Sequence, residues 1–316
     1  MKILMIGRGV IATLYARAFE KAGNSVTFYV RPGRAAQYGP FVNLEIRDGR
    51  VNSKILTHEK WPISMREELN ADHDYDLIFV SVNHNQLDEV VSFLSTRVSK
   101  ATVLIFNNVW VDPQTAVSAL PDEQVVWGFP GGGGGFSGST LKGGFVKTVF
   151  MGSCGNSNRG TRYQTVRELF RSAGFSVTES KDFRSWLWFH FIMDAGLTVQ
   201  SLKVGGFVTV FSSAAQLKEA FLLMREMLPV LKAKGDKTGL GSIILLNLPA
   251  GLLGFILQKF LGEDSLGRFL MTQVEASGYG GYELTALYAR DVLTDARRLG
   301  VSLPRLTALE PVFKAK

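Results

Sequence analysis

The stretch KILMIGRGVIA, residues 2–12, decides the fold of this 316-residue chain. Its opening run, Lys2–Ile6, is almost wholly apolar and predicts a buried β-strand. A G-x-G-x-x-A motif follows, formed by Gly7, Arg8, Gly9, Val10, Ile11 and Ala12. Helical spacing then continues over Ile11–Ala22 and ends at Gly23. A glycine turn between a strand and a helix is the context in which this motif binds a dinucleotide.

The small residues of the motif have separate roles. Gly7 allows the tight turn, Gly9 lets the backbone approach a pyrophosphate, and Ala12 packs the helix against the strand. The helix N-terminus presents free N–H groups and a partial positive charge to the phosphates. These roles predict a cofactor site that includes the whole of residues 7–12.

The end of the second predicted strand, Ser25–Val30, indicates which dinucleotide binds. NAD-selective domains usually carry an acidic residue there to bond the ribose 2′-hydroxyl. This chain has Arg31 instead, with Arg34 close by. A guanidinium group pairs with a 2′-phosphate, which a carboxylate would repel. The sequence therefore predicts NADP(H) as the cofactor.

Periodicity divides the chain into two domains. The first part alternates strands with helices, and its further predicted elements are Leu77–Val82, Leu87–Leu94, Val103–Phe106, Val125–Gly128, Phe145–Gly152 and Tyr163–Ala173. Helical spacing dominates after Lys181, in Trp186–Leu202, Ala214–Lys234, Ile243–Phe260 and Tyr282–Leu299. The pattern predicts a Rossmann-type α/β domain with a doubly wound parallel sheet over residues 1–180. An all-helical domain for substrate binding and dimerisation is predicted over residues 181–316.

Two unusual segments leave alternatives open. Five consecutive glycines, Gly131–Gly135, follow the predicted strand Val125–Gly128. They form either a flexible loop or bare backbone that a ligand approaches at the ligand-binding edge of the sheet. The apolar run from Leu240 to Leu261 is interrupted by Pro249 and several glycines. We expect a pair of short helices buried in a domain or dimer interface rather than a membrane span.

Composition narrows the classes of function. The net charge is +7, but the lysines and arginines are scattered, so nucleic-acid binding is not expected. Attraction of an anionic dinucleotide and an acidic substrate accounts for the surplus equally well. The single cysteine, Cys154, excludes an intramolecular disulfide and indicates a reducing compartment. No signal peptide follows Met1 and no metal site is predicted, so we expect a cytoplasmic protein without a membrane partner.

Taken in order, these features resemble the ketopantoate reductases, which combine a Rossmann domain with a helical C-terminal domain. The resemblance is carried by residues 7–12, Arg31, the segments 76–83 and 106–108, the Trp-rich helix after Lys181, and the closing helix 290–300 with its GVSLP ending. It implies hydride transfer from NADPH to the carbonyl of a small 2-oxo acid. The family's own reaction reduces 2-dehydropantoate (ketopantoate) to pantoate in pantothenate biosynthesis.

The resemblance also implies cofactor- and substrate-binding roles for individual residues in both halves of the chain. Asn108 matches an asparagine that contacts both cofactor and substrate, although it would equally suit a turn that caps the strand. Gln86 matches a position near the nicotinamide, and Asn83 lies where many members have a lysine. Glu283 is a counterpart of a late cofactor-binding glutamate, displaced by one residue from the family's spacing. It would equally suit the exposed first turn of a helix.

The family's catalytic lysine is missing, and two registers of its helix remain open. The family pattern places the lysine two residues after a tryptophan, with polar residues four and eight positions further on. Counted from Trp186, these positions hold Trp188, Ile192 and Gly196. Counted from Trp188, they hold His190, Asp194 and Thr198, which share one helix face.

The second register offers a general acid. A histidine side chain can act as a general acid, and Asp194, one helical turn away, would pair with the protonated imidazole of His190. A role for His190 as a packed aromatic residue is the alternative.

The family's substrate serine is also absent, since Phe269 and Leu270 occupy its place. Thr272 or Ser277 would replace the serine, and Tyr279 and Tyr282 would line the cleft. The main hypothesis is an NADPH-dependent reductase of a small 2-oxo acid. A reductase for a bulkier carbonyl and a non-catalytic NADPH-binding protein are the alternatives.

Overall fold

The computed structural model describes residues 1–154, 160–236, 239–278 and 282–314. Its strands are β1 (Lys2–Ile6), β2 (Ser25–Tyr29), β3 (Phe41–Asp48), β4 (Asn52–Pro62), β5 (Met65–Arg66), β6 (Leu77–Val80), β7 (Thr102–Phe106), β8 (Val125–Phe129), β9 (Gly132–Ser137), β10 (Thr140–Phe145), β11 (Thr148–Gly152) and β12 (Ser176–Ser180). Its first helices are α1 (Val10–Lys21), α2 (Arg34–Tyr38), α3 (Leu87–Leu94), α4 (Pro113–Ala116) and α5 (Thr161–Ser172). The helices that follow are α6 (Phe183–Val204), α7 (Phe207–Phe211), α8 (Ala214–Ala233), α9 (Leu240–Asn247), α10 (Ala250–Phe260), α11 (Leu266–Ala276), α12 (Tyr282–Arg298), α13 (Pro304–Ala308) and α14 (Glu310–Phe313).

The chain divides into two units, residues 1–184 and 185–316. The main sheet of the first unit has the order β12-β11-β8-β7-β6-β1-β2-β5. Its strands pair in parallel from β5 to β8, whereas β11 pairs antiparallel with β8. A parallel Rossmann-type sheet followed by a helical unit is therefore confirmed, with one antiparallel pairing that was not predicted. The predicted domain boundary, after residue 180, lies slightly before the observed one.

Parallel pairing brings four strand ends to one edge of the sheet. In the pairing register, Ile6 lies opposite both Tyr29 and Val80, and Val80 lies opposite Ile105. The carboxyl ends of β1, β2, β6 and β7 are therefore neighbours. Every residue of β6 and β7 is buried, which explains their unbroken apolar sequences.

An aromatic cluster fixes α1 against the sheet. Tyr15 of α1 is fully buried, and its ring packs edge-on against Phe106 at 4.9 Å and parallel to Phe175 at 5.0 Å. Its hydroxyl accepts a hydrogen bond from the backbone N–H of Gly131 at 3.1 Å. Burial raises the pKa of this hydroxyl. The cluster thereby holds the first helix at the position that the glycine turn requires.

Four of the five glycines, Gly132–Gly135, belong to strand β9 of a second sheet, of order β4-β3-β10-β9. Strand β9 pairs antiparallel with β10, so that Gly134 lies opposite Gly143 and Gly133 opposite Gly144. A Cβ atom at Gly143 would overlap the carbonyl oxygen of Gly133, and one at Gly144 would overlap that of Arg47. The flexible-loop alternative is therefore wrong for Gly132–Gly135, because these residues pair within a sheet. Their bare backbone is approached closely by a neighbouring strand.

The helical pair predicted near residue 250 is present, but it is not buried within the described chain. Helices α9 and α10 meet at a bend of 115°. Gly254 packs against α8, close to the backbone of Ala214 and Lys218. Nine large apolar side chains nevertheless stay exposed: Leu240, Ile243, Ile244, Leu246, Leu248, Leu252, Phe255, Ile256 and Phe260. Among the described residues, no single helix is long and apolar enough to cross a membrane, and only this bent pair meets that test jointly.

Replacing a glycine between the strands of the second sheet should destabilise the protein. In Gly144→Ala the new methyl group would overlap the carbonyl oxygen of Arg47, so the strands must separate. We expect a loss of about 1–3 kcal/mol in the free energy of unfolding, measured by urea denaturation. Gly251→Ala is the control, because its Cβ would meet only Lys218, at 3.9 Å. Equal stability of the two variants would contradict this packing.

Candidate functional site

The glycine turn after β1 leaves the start of α1 open. Gly7 has φ +78°, a conformation that favours glycine, and its N–H donates to the carbonyl of Tyr29 at 2.8 Å. Gly9 is the N-cap of α1, without a side-chain cap, and its carbonyl accepts the bond from Thr13 N–H at 2.9 Å. A Cβ atom at Gly9 would meet only the carbonyl oxygen of Ser81, at 4.0 Å. The N–H groups of the first helical turn therefore have no side-chain cap, and such a helix start can bind the oxygens of a diphosphate.

The side chain of Arg8 turns away from this opening and lies between aromatic residues. Its guanidinium carbon is 4.2 Å from the ring centre of Tyr38 and 4.4 Å from that of Phe136. Arg8 is only 9% exposed, and burial lowers the pKa of its guanidinium. Tyr38 ends α2 and Phe136 belongs to the glycine-rich strand β9, so no sequence pattern indicated this contact.

The segment after β2 carries the predicted selectivity residue. Arg31 is exposed, and its side chain forms no hydrogen bond or ion pair with any described residue. Arg34 donates to Gln37 at 2.9 Å. The carboxylate of Glu67 accepts a hydrogen bond from Ala35 N–H at 2.8 Å, and backbone donation lowers its pKa. Glu67 thereby orders the segment, a role that sequence reasoning missed because β5, the strand preceding it, has only two residues.

The loops after β6 and β7 hold the amide residues. Asn83 and Gln86 form a reciprocal capping box around the turn that precedes α3. Asn107, which is buried, accepts from Val82 N–H at 3.3 Å, and its amide also donates to Val82 O. This pair of bonds fastens the ends of β6 and β7 together. Asn108, also buried, comes next in the chain, so the structure brings the three predicted amide residues to one edge of the sheet.

Helix α6 presents the two open registers on different faces. In the register that begins at Trp186, Trp188 and Ile192 are buried and Gly196 packs against Met224. In the other register, the side chains of His190 and Asp194 are 35% and 29% exposed.

His190 Nε2 lies 3.6 Å from Asp194 Oδ1, and its ring stacks on Trp186 at 5.1 Å. Thr198 is buried and donates to the carbonyl of Ala195. Only the register that contains His190 therefore has polar side chains that solvent, and hence a substrate, can reach.

The candidate site residues near the C-terminal end of the chain form hydrogen bonds within the second unit. Glu283 accepts a hydrogen bond from Arg290 at 2.6 Å, which raises the pKa of that arginine. The hydroxyls of Thr272 and Ser277 donate to carbonyls of their own helix. Tyr282 donates to the carbonyl of Lys314 at 2.7 Å. Tyr279 lies outside the described residues.

Within residues 1–154, 160–236, 239–278 and 282–314, no group of three His, Cys, Asp or Glu side chains is arranged to hold an ion.

The strand order, the glycine turn and the open start of α1 define a class: the Rossmann-type NAD(P)-dependent oxidoreductases. Residues 3–139 match the family model described as ketopantoate reductase PanE/ApbA. Over this segment the resemblance seen in the sequence is therefore confirmed. A cofactor of the NAD(P)(H) type follows from this family.

Curated relatives match only the first part of the chain. A glycerol-3-phosphate dehydrogenase [NAD(P)+] from Rickettsia bellii strain OSU 85-389 is 28% identical over 105 residues. The match covers 33% of this chain and 31% of that protein. The chain thus spans about a third of the length of the curated relatives it matches.

Solved structures share the fold over nearly the whole chain. A PanE/ApbA family ketopantoate reductase from Ralstonia eutropha JMP134 is similar with a TM-score of 0.72 and 16% identity, covering 99% of this chain and 97% of that one. A 2-dehydropantoate 2-reductase from Geobacter metallireducens GS-15 gives 0.68 and 15%, with 99% of both chains covered. D-mandelate dehydrogenase with NADH and anilino(oxo)acetate gives 0.72 and 12%, covering 99% and 97%.

Removing the Asn107 amide should lower both the stability of the protein and its affinity for NADPH. Asn107→Ala leaves the partly buried backbone groups of Val82 without their partner. We expect a loss of about 1–3 kcal/mol in the free energy of unfolding and weaker NADPH binding. Urea denaturation and calorimetry measure the two effects. The control is Asn43→Ala, which removes an exposed bond to Ser139. Wild-type stability and affinity in Asn107→Ala would show that the two loops do not depend on this amide.

Proposed function

We propose that this chain is an NADPH-dependent reductase of a small 2-oxo acid, with 2-dehydropantoate as the first substrate to test. The observation that carries the proposal is the open N-terminus of α1 behind the Gly7–Gly9 turn, in a segment that matches the PanE/ApbA family model. The chain's positive charge suits an anionic cofactor and an acidic substrate.

The preference for NADP(H) is proposed from the segment after β2. Arg31 stands there, exposed and without a protein partner among the described residues, so it is available to a 2′-phosphate. Backbone amides of residues 9–12 would bind the diphosphate. Asn83, Gln86 and Asn108 lie at the strand ends next to the turn and would contact the nicotinamide half. A contact between Glu283 and the cofactor stays a prediction, since Glu283 is paired with Arg290.

The catalytic roles follow from what each side chain offers. When bound, NADPH supplies the hydride. The Asn108 amide would donate a hydrogen bond to the substrate's carbonyl oxygen, and His190 would deliver the proton that this oxygen takes up. Asp194 forms an ion pair with His190 when the imidazole is protonated. Trp186, stacked on His190, fixes the plane of the ring.

A bulkier 2-oxo acid is the second candidate substrate. Trp186 provides an aromatic surface beside His190. A structural neighbour, D-mandelate dehydrogenase, holds anilino(oxo)acetate, which carries an aryl group. A third reading, in which the chain binds NADPH without catalysis, would require His190 to have no chemical role.

Replacing His190 separates these readings. The assay is NADPH oxidation with 2-dehydropantoate and with aliphatic and aryl 2-oxo acids. His190→Ala should lower kcat by about 10²- to 10⁴-fold, because the proton donor is lost, and leave NADPH affinity unchanged. His58→Ala, which changes an exposed histidine on β4, is the control.

The outcomes distinguish the three readings. Faster turnover of aryl substrates would identify the bulkier class. Wild-type protein that binds NADPH but reduces no carbonyl would contradict the reductase proposal. Wild-type activity in His190→Ala would remove His190 as the proton donor.

We further propose that the α9–α10 surface joins two copies of the chain. No charged residue occurs from Gly239 to Gln258. In a symmetric dimer the same surface patch of each copy faces the other. Each copy has a net charge of +7, so a positively charged patch would place like charges opposite each other. A largely apolar patch, with Lys259 as the single charged residue of α9 and α10, reduces this repulsion. Its nine exposed apolar side chains exceed what isolated monomers usually leave in one place.

A charge placed in this surface should dissociate the dimer. Sedimentation is expected to show wild type as a dimer and Phe255→Glu as a monomer, because two buried carboxylates would face each other. Val51→Glu, on an exposed turn of the first unit, is the control. Monomeric wild type would overturn the proposal, and its binding to lipid vesicles would identify a membrane surface as the occupant instead.

A cytoplasmic location is part of the proposal. Cys154 is buried, and burial raises the pKa of its thiol, so it stays a thiol and does not readily form an intermolecular disulfide. A reducing compartment agrees with this state.

A further inference from the structure

Arg8 is a largely buried cation without an anionic partner among the described residues. Its Nε and Nη1 atoms have no solvent contact and no hydrogen-bond partner among the described residues. The aromatic contacts with Tyr38 and Phe136 hold the group in place but accept no conventional hydrogen bond. A buried charge without a partner is unfavourable, and such groups in native proteins call for an explanation.

A second arginine shows how the same chain satisfies such a group. Arg50 is also held against two rings, with its guanidinium carbon 4.4 Å from Phe145 and 4.7 Å from Phe175. Its Nε and Nη2 donate to Asp48 at 3.0 and 2.7 Å, and its Nη1 donates to Ala173 O. Arg50 is thus a structural arginine with a complete set of partners. Arg8 has the aromatic contacts without the acceptors.

The position of Arg8 indicates which acceptor is missing. The residue belongs to the turn that would bind the diphosphate, yet its side chain contacts Tyr38, the last residue of α2. Helix α2 directly follows Arg31, where the adenosine 2′-phosphate is expected. Arg8 therefore connects the diphosphate turn with the segment that selects between NADP(H) and NAD(H).

We propose that the Arg8 side chain is a second recognition group for the 2′-phosphate, acting together with Arg31. The phosphate supplies the charge and the acceptor oxygens that Arg8 lacks, and the flexible stem of the side chain lets the guanidinium turn towards it. Tyr38 and Phe136 keep the group close to its binding position and reduce the entropy lost on binding. This inference rests on the proposed use of NADP(H).

The test compares coenzyme affinity with the stability of the apoprotein. Calorimetry with NADPH and NADH is run on wild type, Arg8→Met, Arg8→Lys and Arg31→Ala. Arg8→Met should weaken NADPH binding by about 10- to 100-fold, because a charge-assisted contact is lost. NADH binding should change by less than about threefold, since NADH carries no 2′-phosphate. Arg8→Lys keeps the charge but loses the planar fork, so it should show an intermediate loss.

Thermal unfolding of the apoprotein separates this role from a structural one. Arg8→Met should melt at or above the wild-type temperature, since it removes an unpaired buried charge. Arg50→Met is the matched control, and it should melt lower while keeping the wild-type preference for NADPH.

Three outcomes would contradict the proposal or its basis. Equal losses of NADPH and NADH affinity in the Arg8 variants would overturn the proposal. A lower melting temperature in Arg8→Met with an unchanged preference would do the same, because it would show a structural role. Wild type that prefers neither coenzyme would contradict the NADP(H) assignment itself, and that failure appears before any Arg8 variant is compared.

Discussion

The first unit depends on one constraint: the backbone amides at the start of α1 must stay open. They do so because Gly9 caps the helix without a side chain and Gly7 adopts a positive φ that reverses the chain after β1. The aromatic cluster around Tyr15 then keeps α1 in place against the sheet. N–H groups at a helix start that lack hydrogen-bond acceptors are unfavourable. A diphosphate bound there would supply the acceptor oxygens.

The glycine-rich strand serves this arrangement indirectly. Its close pairing with β10 excludes side chains, so its contribution comes from its two ends. Gly131 donates to Tyr15, while Phe136 packs on Arg8. One low-complexity segment thus supports both helix α1 and an arginine of the glycine turn that precedes it. Asn107 plays a comparable part on the other side of the turn, where it fastens two strand ends that carry amide side chains.

Sequence patterns predicted those strands and helices whose formation depends mainly on residues close together in the chain. The strand–turn–helix unit at the N-terminus and helix α3 were predicted nearly to the residue, because apolar periodicity and glycine stops determine them. Strands β3, β4 and β9 were not predicted. Strand β4 is almost wholly exposed and β9 is glycine-rich, so neither shows a clear apolar pattern. The sheet that joins their two hairpins depends on the pairing of β3 with β10, which is distant in sequence. The sequence likewise left two registers of α6 open. Burial of Trp188 against partial exposure of His190 separates them, and burial is a tertiary property.

The account is tested most directly by residue-resolved amide hydrogen exchange at the start of α1, with and without saturating NADPH. If the first turn binds the diphosphate, exchange of the Val10, Ile11 and Ala12 amides slows markedly, while amides in helix α5 of the same unit keep their rates. Unchanged exchange at these three amides under saturating NADPH would show that the dinucleotide does not bind at the glycine turn.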